Sequence, residues 1–396
     1  MKSTVSALLA AALWVLPAVA QIQRPAAQPA LPPLPLPNPN SNITSVEVQP
    51  DHHVIFRIWA PDATAVKLRA EGLEATPGIT PEQLAPTYGG FPMTKGDKGV
   101  WETTIGPITP GTYRYNFVVD GVATTDPRNP LTSQSLTSAR SLYQVSGSSF
   151  TEYSPTIPHG AIATIYYNSS ATGGLRRMHI YTPPGYEAGT SRLPVLYLFH
   201  GGGDSDDSWP TVGCAGAILD NLIAADKAVP MIVVMPAGHI STSFRLTPGV
   251  RMGHDAFNDD VTKVILPYVD AHYRTVADRD HRAIAGLSMG GLQALNISLD
   301  DSADFAWVGI FSSGWFPANQ KEEDETDLAQ YHSSGKPFKL YWVGAGKYDI
   351  ALQNSNATVA LLNKFGIKTE VHESGGFHAW NNWRDYLNQF AAKIFQ

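Results

Sequence analysis

The strongest constraint on the fold is a glycine-rich turn between an apolar segment and a helix-like segment. Residues 282–285 are typical of a buried strand, and residues 292–299 have helical periodicity. Between them lies Gly-Leu-Ser-Met-Gly at positions 286–290. A strand that reverses this sharply into a helix holds Ser288 in a strained conformation and exposes its hydroxyl at the helix N-terminus. The pattern therefore predicts a nucleophile at Ser288.

Strands and helices alternate through the C-terminal part of the chain, residues 155–396. The predicted strands are mostly apolar runs at residues 177–186, 193–199, 231–236, 282–285, 339–344 and 368–373. The predicted helices cover residues 215–225, 258–273 and 292–299. This alternation predicts a doubly wound, mostly parallel sheet with helices on both faces.

A serine hydroxyl is a weak nucleophile at neutral pH, so a base must lie within hydrogen-bond reach. His378 lies in a glycine-flanked loop after a strand and before the C-terminal helix, where an imidazole can reach over the sheet edge. His372 falls inside a strand pattern, and His332 falls in a polar, charged insert. The sequence therefore predicts His378 as the base.

A carboxylate must then hold the imidazole in the correct tautomer and stabilise its protonated form. Asp349 follows the strand at 339–344 and precedes His378, which gives the chain order serine, acid, histidine. Glu373 is the alternative acid, although it falls on a predicted strand. A helix-capping role for Asp349 is also left open.

The negative charge that develops on an attacked carbonyl oxygen needs N–H donors held in place beforehand. The backbone N–H of Met289, directly after the nucleophile, is one predicted donor. The other is expected from the glycines after His200, with Gly202 preferred over Gly201. His200 itself precedes the nucleophile and is predicted to be a structural hydrogen-bonding residue.

The first 40 residues predict export and a tether. Residues 1–20 contain an apolar run that ends Ala-Val-Ala, the pattern of a cleaved signal peptide, so a secreted or periplasmic protein is expected. The run is short for a membrane anchor, and no later stretch is long and apolar enough to span a bilayer. Residues 21–40 are proline-rich and predict a semi-rigid linker.

Residues 41–150 predict a small β-sandwich. Short alternating segments at residues 54–61, 65–70, 101–105 and 113–119 are separated by turn residues, and the first two are expected to be neighbours. The last segment ends at Asp120-Gly121, a strong hairpin signal. Aromatic side chains that could stack on sugars are better explained as core residues; these are Trp59, Trp101, Tyr113 and Tyr115.

Composition excludes several kinds of site. The net charge of −7 argues against nucleic-acid binding, and the single cysteine, Cys214, excludes an internal disulfide and a multi-cysteine metal cluster. Asp204, Asp206 and Asp207 lack a calcium-loop pattern and are expected to be a solvated, turn-forming run. No metal and no cofactor are predicted.

The segments around these residues resemble the family 1 carbohydrate esterases, also called the esterase D or feruloyl esterase group. The matching segments are residues 200–203, Trp209, residues 265–274, residues 278–291, Asp349 and residues 376–380. The resemblance covers most of residues 160–395. It implies an α/β-hydrolase fold, a Ser288–His378–Asp349 triad and an acyl-enzyme on ester substrates. The chain departs from the family at Phe377, where Gly-His is often contiguous.

The β-sandwich has a resemblance of its own. Residues 113–121, followed by residues 126–130, resemble the immunoglobulin-like family 48 carbohydrate-binding modules that precede glycan-active enzymes. The two resemblances together imply a serine esterase that removes feruloyl or acetyl groups from xylan-type polysaccharide, or acts on small aryl or acyl esters.

The alternatives left open are a siderophore esterase similar to enterochelin esterases, an acyltransferase, and a carbohydrate-binding protein with little hydrolysis. Gly201, Trp209 and Trp380 are candidate substrate contacts, and Trp315 and Trp342 are further candidates for the acyl pocket. The sequence predicts neither the acyl group nor the oligomeric state.

Overall fold

The computed structural model describes residues 39–241, 255–316, 328–329, 331 and 336–396. The predicted signal peptide lies outside these residues, as do all but the last two residues of the predicted linker. In the described part of the chain, no helix combines the length and the apolar character needed to cross a membrane.

Residues 39–150, all described, form mainly short strands. These are β1 Glu47–Val48, β2 Val54–Trp59, β3 Val66–Ala70, β4 Phe91–Pro92, β5 Thr94–Lys95, β6 Val100–Ile105, β7 Gly111–Val119, β8 Val122–Thr124, β9 Thr132–Gln134 and β10 Ala139–Val145. The short helix α1, Pro81–Leu84, lies between β3 and β4. One sheet has the order β1-β2-β6-β5; the other has β4-β3-β7-β10-β9, with β8 paired to β7.

The two sheets enclose an aromatic core, as the sequence predicts. Alternate residues of β2 point inward, and Phe56 packs edge-on against Tyr115 of the opposite sheet at a ring-centroid distance of 4.9 Å. Trp101 and Tyr113 are also buried, which confirms that they are core residues, whereas Trp59 is only partly buried.

The hairpin at Asp120-Gly121 is confirmed, while one predicted strand pairing is wrong. Asp120 and Gly121 have φ values of 46° and 88° and connect β7 to β8. The segments at 54–61 and 65–70 were expected to be neighbours, yet β2 pairs with β1 and β6, and β3 pairs with β4 and β7. The chain crosses from one sheet to the other between them, which local sequence does not encode.

The C-terminal part is built on one mostly parallel sheet. Its strands are β11 Ala161–Ser169, β12 Gly174–Thr182, β13 Val195–Phe199, β14 Ile232–Pro236, β15 Arg282–Leu287, β16 Trp307–Phe311, β17 Leu340–Gly346 and β18 Glu370–Ser374. In the described residues their order is β11-β12-β14-β13-β15-β16-β17-β18, and every pair from β14 to β18 is parallel. The doubly wound, mostly parallel sheet is confirmed.

Helices cover both faces of this sheet. They are α2 Ala215–Ala224, α3 Ala256–Asp260, α4 Leu266–His272, α5 Met289–Asp300, α6 Leu352–Lys364 and α7 Trp380–Ala391. Helices α2 and α7 share one buried cluster, and α3, α4, α5 and α6 contribute to the other. The segment predicted as one helix at 258–273 comprises α3, a π-helical turn at Val261–Ile265 and α4. The carboxyl ends of β13, β15, β17 and β18 meet at one edge, where the candidate site lies.

Candidate active site

Ser288 lies in the turn between β15 and α5. Its φ and ψ of 51° and −116° place it in a region that non-glycine residues rarely adopt. The Ser288 N–H donates to the Phe311 carbonyl at 2.9 Å, and the Leu292 N–H donates to the Ser288 carbonyl at 3.0 Å. These bonds hold the strained turn and place the side chain at the start of α5.

The glycines around Ser288 are required by close packing. A Cβ added to Gly290 would lie 2.5 Å from the His200 carbonyl oxygen and 2.7 Å from the Phe199 Cβ. A Cβ added to Gly286 would overlap the Gly290 carbonyl group. The turn therefore packs backbone against backbone, as its sequence predicts.

The structure brings the three predicted triad residues together. His378 lies in the turn between β18 and α7, and its Nε2 is 3.0 Å from Ser288 Oγ. Asp349 follows β17, and its Oδ1 is 2.8 Å from His378 Nδ1. The same Oδ1 accepts a hydrogen bond from the Ala351 N–H at 2.8 Å, so the carboxylate is fixed from two sides.

The environment of Asp349 favours its ionised form. Burial alone would raise the pKa of Asp349, but the hydrogen bond and charge of His378, together with hydrogen bonds from Ser312 and the Ala351 N–H, lower that pKa. An ionised Asp349 accepts a hydrogen bond from His378 Nδ1–H, which leaves Nε2 as the acceptor for the Ser288 hydroxyl.

Two residues that sequence reasoning missed support the imidazole. The indole of Trp383 in α7 packs edge-on against His378 at a ring-centroid distance of 5.0 Å. Its Nε1 donates to Ser312 Oγ at 2.9 Å, and Ser312 follows β16 with a φ of 51°. Strand β16 was not among the predicted strands. A strand prediction there would have placed Ser312 at the same sheet edge as Ser288.

The predicted oxyanion residues lie beside the nucleophile. Met289 begins α5, so its N–H is one of the helix N-terminal donors without an intrahelical acceptor. A Cβ added to Gly201 would lie 2.5 Å from Leu287 Cδ1 and 3.4 Å from Ser288 Cβ, so the loop containing Gly201 and Gly202 passes directly over the turn. The glycine loop therefore lies against the turn that carries Ser288 and Met289.

The other acids and bases considered lie away from Ser288. His372 and Glu373 are on β18; His372 stacks on Trp342, and Glu373 is exposed. His332 lies outside the described residues. His200 is buried, and its ring forms hydrogen bonds with two backbone groups, the Gly201 carbonyl and the Gly238 N–H.

The predicted substrate contacts at Trp209 and Trp380 are placed in the core instead. Their exposed fractions are 1% and 3%, and their rings pack edge to face at 5.2 Å. Trp209 Nε1 also donates to the Phe199 carbonyl at 2.9 Å. In the described part of the chain, both side chains are therefore core residues and are not exposed to contact an acyl group. Trp315 and Trp342 are buried as well.

Two of the three aspartates after the glycine loop are buried and paired, so the expectation of a solvated run is wrong for Asp204 and Asp206. Asp204 and Asp206 have exposed fractions of 7% and 3%. Arg114 of the sandwich reaches Asp204 at 2.7 Å, and Arg177 binds both oxygens of Asp206 at 2.7 and 2.8 Å. The run therefore forms part of the contact between the sandwich and the larger sheet.

Comparisons with known proteins match both parts of the chain. Residues 45–132 match the family model of carbohydrate-binding module 48, the isoamylase N-terminal domain. The endo-1,4-beta-xylanase/feruloyl esterase of Xylanibacter ruminicola is 31% identical over 357 residues, which cover 88% of this chain and 46% of that protein. The chain spans about half the length of the curated relatives that it matches.

Two solved structures share the fold. A ferulic acid esterase from Anaeromyces mucronatus superposes with a TM-score of 0.56 and 22% identity over 63% of this chain and 96% of that one. The enterobactin esterase of Shigella flexneri superposes with a TM-score of 0.61 and 19% identity, over 87% of this chain and 93% of that one. At these identities the likeness establishes the α/β-hydrolase architecture. Residues 169–394, more than half of the chain, match the family model "Putative esterase", and the chain therefore belongs to that esterase family.

Proposed function

We propose that the chain is a serine carboxylic-ester hydrolase that removes feruloyl or acetyl groups from xylan-type plant polysaccharide. The observation that carries the proposal is the continuous hydrogen-bond chain from Ser288 through His378 to Asp349, at 3.0 and 2.8 Å. These three groups supply a nucleophile, a base and an orienting acid, the set that acyl transfer requires.

Acylation begins when Ser288 Oγ attacks the ester carbonyl carbon and His378 Nε2 takes the hydroxyl proton. The carbonyl π electrons move to the oxygen, and the N–H groups of Met289 and Gly202 donate to that oxyanion. The loss of one such donor costs about 3 kcal/mol of transition-state stabilisation. Asp349 stabilises the imidazolium that forms.

Collapse of the tetrahedral intermediate breaks the bond between the carbonyl carbon and the alcohol oxygen. His378 Nε2 returns its proton to that oxygen, so the alcohol leaves neutral and an ester on Ser288 remains. His378 then deprotonates water, which attacks this ester. A second collapse releases the carboxylic acid and restores the Ser288 hydroxyl.

The substrate class is supported by the name of one relative and by the sandwich. The Xylanibacter ruminicola protein is described as a xylanase and feruloyl esterase, and it aligns with both parts of this chain. The match of residues 45–132 to a carbohydrate-binding module agrees with a glycan-linked ester. Export, proposed from residues 1–20, would bring the enzyme to an extracellular polymer.

The change Ser288→Ala tests the reaction. Methyl ferulate hydrolysis should fall by at least about 10⁴-fold, because removal of a triad member leaves only binding and the oxyanion donors. Ser298→Ala is the matched control: this buried serine on α5 forms hydrogen bonds with Leu295 and Tyr341, and with no triad residue in the described part of the chain. It should retain turnover. Turnover by the folded Ser288 variant would reject the proposal.

A comparison of four substrates distinguishes the proposed function from the alternative ones. Methyl ferulate, 4-nitrophenyl acetate, feruloylated arabinoxylan and ferric enterobactin are compared at equal enzyme concentration, with and without an alcohol acceptor. Release of ferulate or acetate with water as acceptor supports the proposal. Preferential hydrolysis of enterobactin would indicate a siderophore esterase, and preferential ester formation with the alcohol would indicate an acyltransferase.

A further inference from the structure

Two histidines link the glycine loop after β13 to the loop after β14. The Gly203 N–H of the first loop donates to His239 Nε2 of the second at 3.1 Å. In return, the Gly238 N–H of the second loop donates to His200 Nε2 of the first at 2.8 Å. The two rings lie 5.4 Å apart. Each loop therefore holds the other through an imidazole that accepts a backbone N–H.

The tautomer of His200 determines the orientation of the peptide that contains the predicted oxyanion donor. Because Nε2 of His200 accepts a hydrogen bond, Nδ1 carries the proton and donates to the Gly201 carbonyl at 2.8 Å. The Asp204 N–H donates to the same carbonyl at 3.2 Å. In a trans peptide the C=O and the next N–H point in opposite directions, so the Gly202 N–H points away from these partners. Among the described residues it has no hydrogen-bond acceptor.

The second loop is itself attached to the helix that begins at the other donor. Gln293, one turn after Met289 in α5, donates through Nε2 to the Gly238 carbonyl at 3.0 Å. Arg176 donates to the His239 carbonyl at 3.1 Å and to the Ala237 carbonyl. The loop after β14 thus connects α5 to the glycine loop.

Both imidazoles are in the form that this arrangement requires. Burial lowers the pKa of His200. Burial, together with the nearby His200 ring, also lowers the pKa of His239 to about 4. Asp204 and Arg176 also face His239 and act in opposite directions on it. At neutral pH both rings are therefore uncharged and can accept an N–H.

We propose that His239 is a positioning residue of the oxyanion hole. Its Nε2 fixes the Gly203 N–H, and this fixes the glycine loop so that the Gly202 and Met289 N–H groups converge on one oxygen. The proposal rests on the proposed esterase function, because it assigns His239 a role in that reaction. His239 touches no reacting atom and acts only through the loop.

The test compares His239→Phe, which keeps a ring and removes the acceptor, with His239→Gln, which keeps an acceptor. For methyl ferulate we expect the Phe variant to lose about 10- to 100-fold in kcat, less than the full loss of a donor, with KM changed by less than about threefold. The Gln variant should recover most of this loss. The affinity for phenylboronic acid, which forms a tetrahedral adduct on serine, should fall in parallel with kcat.

His272→Phe is the matched control, since His272 is exposed on α4 and stacks on Tyr268. It should leave kcat unchanged. Melting temperatures of all variants are measured, and His239→Ala replaces the Phe variant if the latter does not fold. Full activity of a folded variant without an acceptor at 239 would overturn the proposal, as would equal losses in the Phe and Gln variants. If the wild-type protein hydrolyses no ester, the proposed function fails and this role falls with it.

Discussion

The β-sandwich contacts the esterase domain on both sides of Ser288, and the two contacts differ in chemistry. Beside the loop after β13, Arg114 forms an ion pair with Asp204 at 2.7 Å, and both side chains are buried. The Leu136 N–H, between β9 and β10, donates to the Gly203 carbonyl at 2.9 Å. We call this the polar contact.

On the other side, Leu84 at the end of α1 packs with Phe377 and Ala379, the two residues that flank His378. Tyr348, which precedes Asp349, packs at the edge of the same cluster. We call this the apolar contact. It also explains the departure from the family loop, because the Phe377 side chain fills a contact that the sandwich provides.

The difference corresponds to the proposed tasks of the two loops. Oxyanion donors must stay in one orientation, and hydrogen bonds and ion pairs are directional enough to fix a peptide plane. The histidine must accept a proton from one oxygen and deliver it to another. An apolar contact keeps its loop closed without dictating the ring angle. The sandwich therefore supports the proposed site in two ways that mutations can separate.

The largest effect is expected at the polar contact. Arg114→Met leaves the buried Asp204 carboxylate without its cation and should lower the free energy of unfolding by about 3–5 kcal/mol. Urea denaturation followed by tryptophan fluorescence measures this. Arg57→Met is the control, since Arg57 pairs with the more exposed Glu47 and Glu102 and should cost at most about 1 kcal/mol. Equal losses of unfolding free energy in the two variants would show that the buried ion pair contributes no more to stability than the exposed ones.

A smaller effect is expected at the apolar contact. Leu84→Ala should lower the free energy of unfolding by about 2–3 kcal/mol. This is at the lower end of the losses for buried leucines, because the cluster around Leu84 is small. It should also reduce kcat about three- to tenfold, because Phe377 loses its support beside His378. Both are measured, by urea denaturation and by methyl ferulate hydrolysis.

Two further variants sharpen that test. Leu84→Met keeps most of the volume and should restore kcat. Leu142→Ala removes a sandwich leucine of similar burial, 9% exposed against 6%, that packs in the core around α2 and α7. It should lower stability without the same loss of kcat. A loss of kcat as large as that of Leu84→Ala would mean that the contact acts only through stability.

The proposed triad could be predicted because its signals are local. The sharp turn at Ser288 needs glycines at fixed offsets, and the loops of Asp349 and His378 follow recognisable strands. The structure places all three side chains within hydrogen-bond distance. Strand order and the side-chain partners of buried charges depend on contacts between distant segments, which periodicity does not reveal.

The acidic run at 204–207 shows this limit. Three aspartates in four positions resemble a solvated turn until their partners are known, and Arg114 lies 90 residues before Asp204. Trp209 and Trp380 show a second limit, because a tryptophan near a catalytic motif fits a substrate wall and a core equally well in sequence. Their burial places them in the core. Both errors arise because burial depends on contacts between segments that are distant in sequence.

The smallest effect is expected at the partly buried Glu74. It lies close to Glu71, which pairs with Arg114 of the polar contact, and follows Leu73, which packs against the apolar contact. Burial and the neighbouring Glu71 carboxylate raise the pKa of Glu74 to about 7. The folded protein therefore keeps a proton on Glu74 that the unfolded chain loses near pH 4.5. The contribution of Glu74 to the free energy of unfolding accordingly falls as the pH rises from about 4.5 to about 7.

Glu74→Gln cannot titrate, so its stability relative to the wild type should rise by about 1–2 kcal/mol between pH 5 and pH 8. Urea denaturation at a series of pH values measures the difference. The control is Glu82→Gln on α1, which removes the same charge from an exposed carboxylate whose pKa is lowered. Its stability relative to the wild type should not change with pH in this range. A flat difference for Glu74→Gln would mean that Glu74 is already ionised at pH 5. In that case Arg384, which acts on Glu74 from α7, would offset the effect of Glu71, and the contribution of Glu74 to stability would be insensitive to pH in this range.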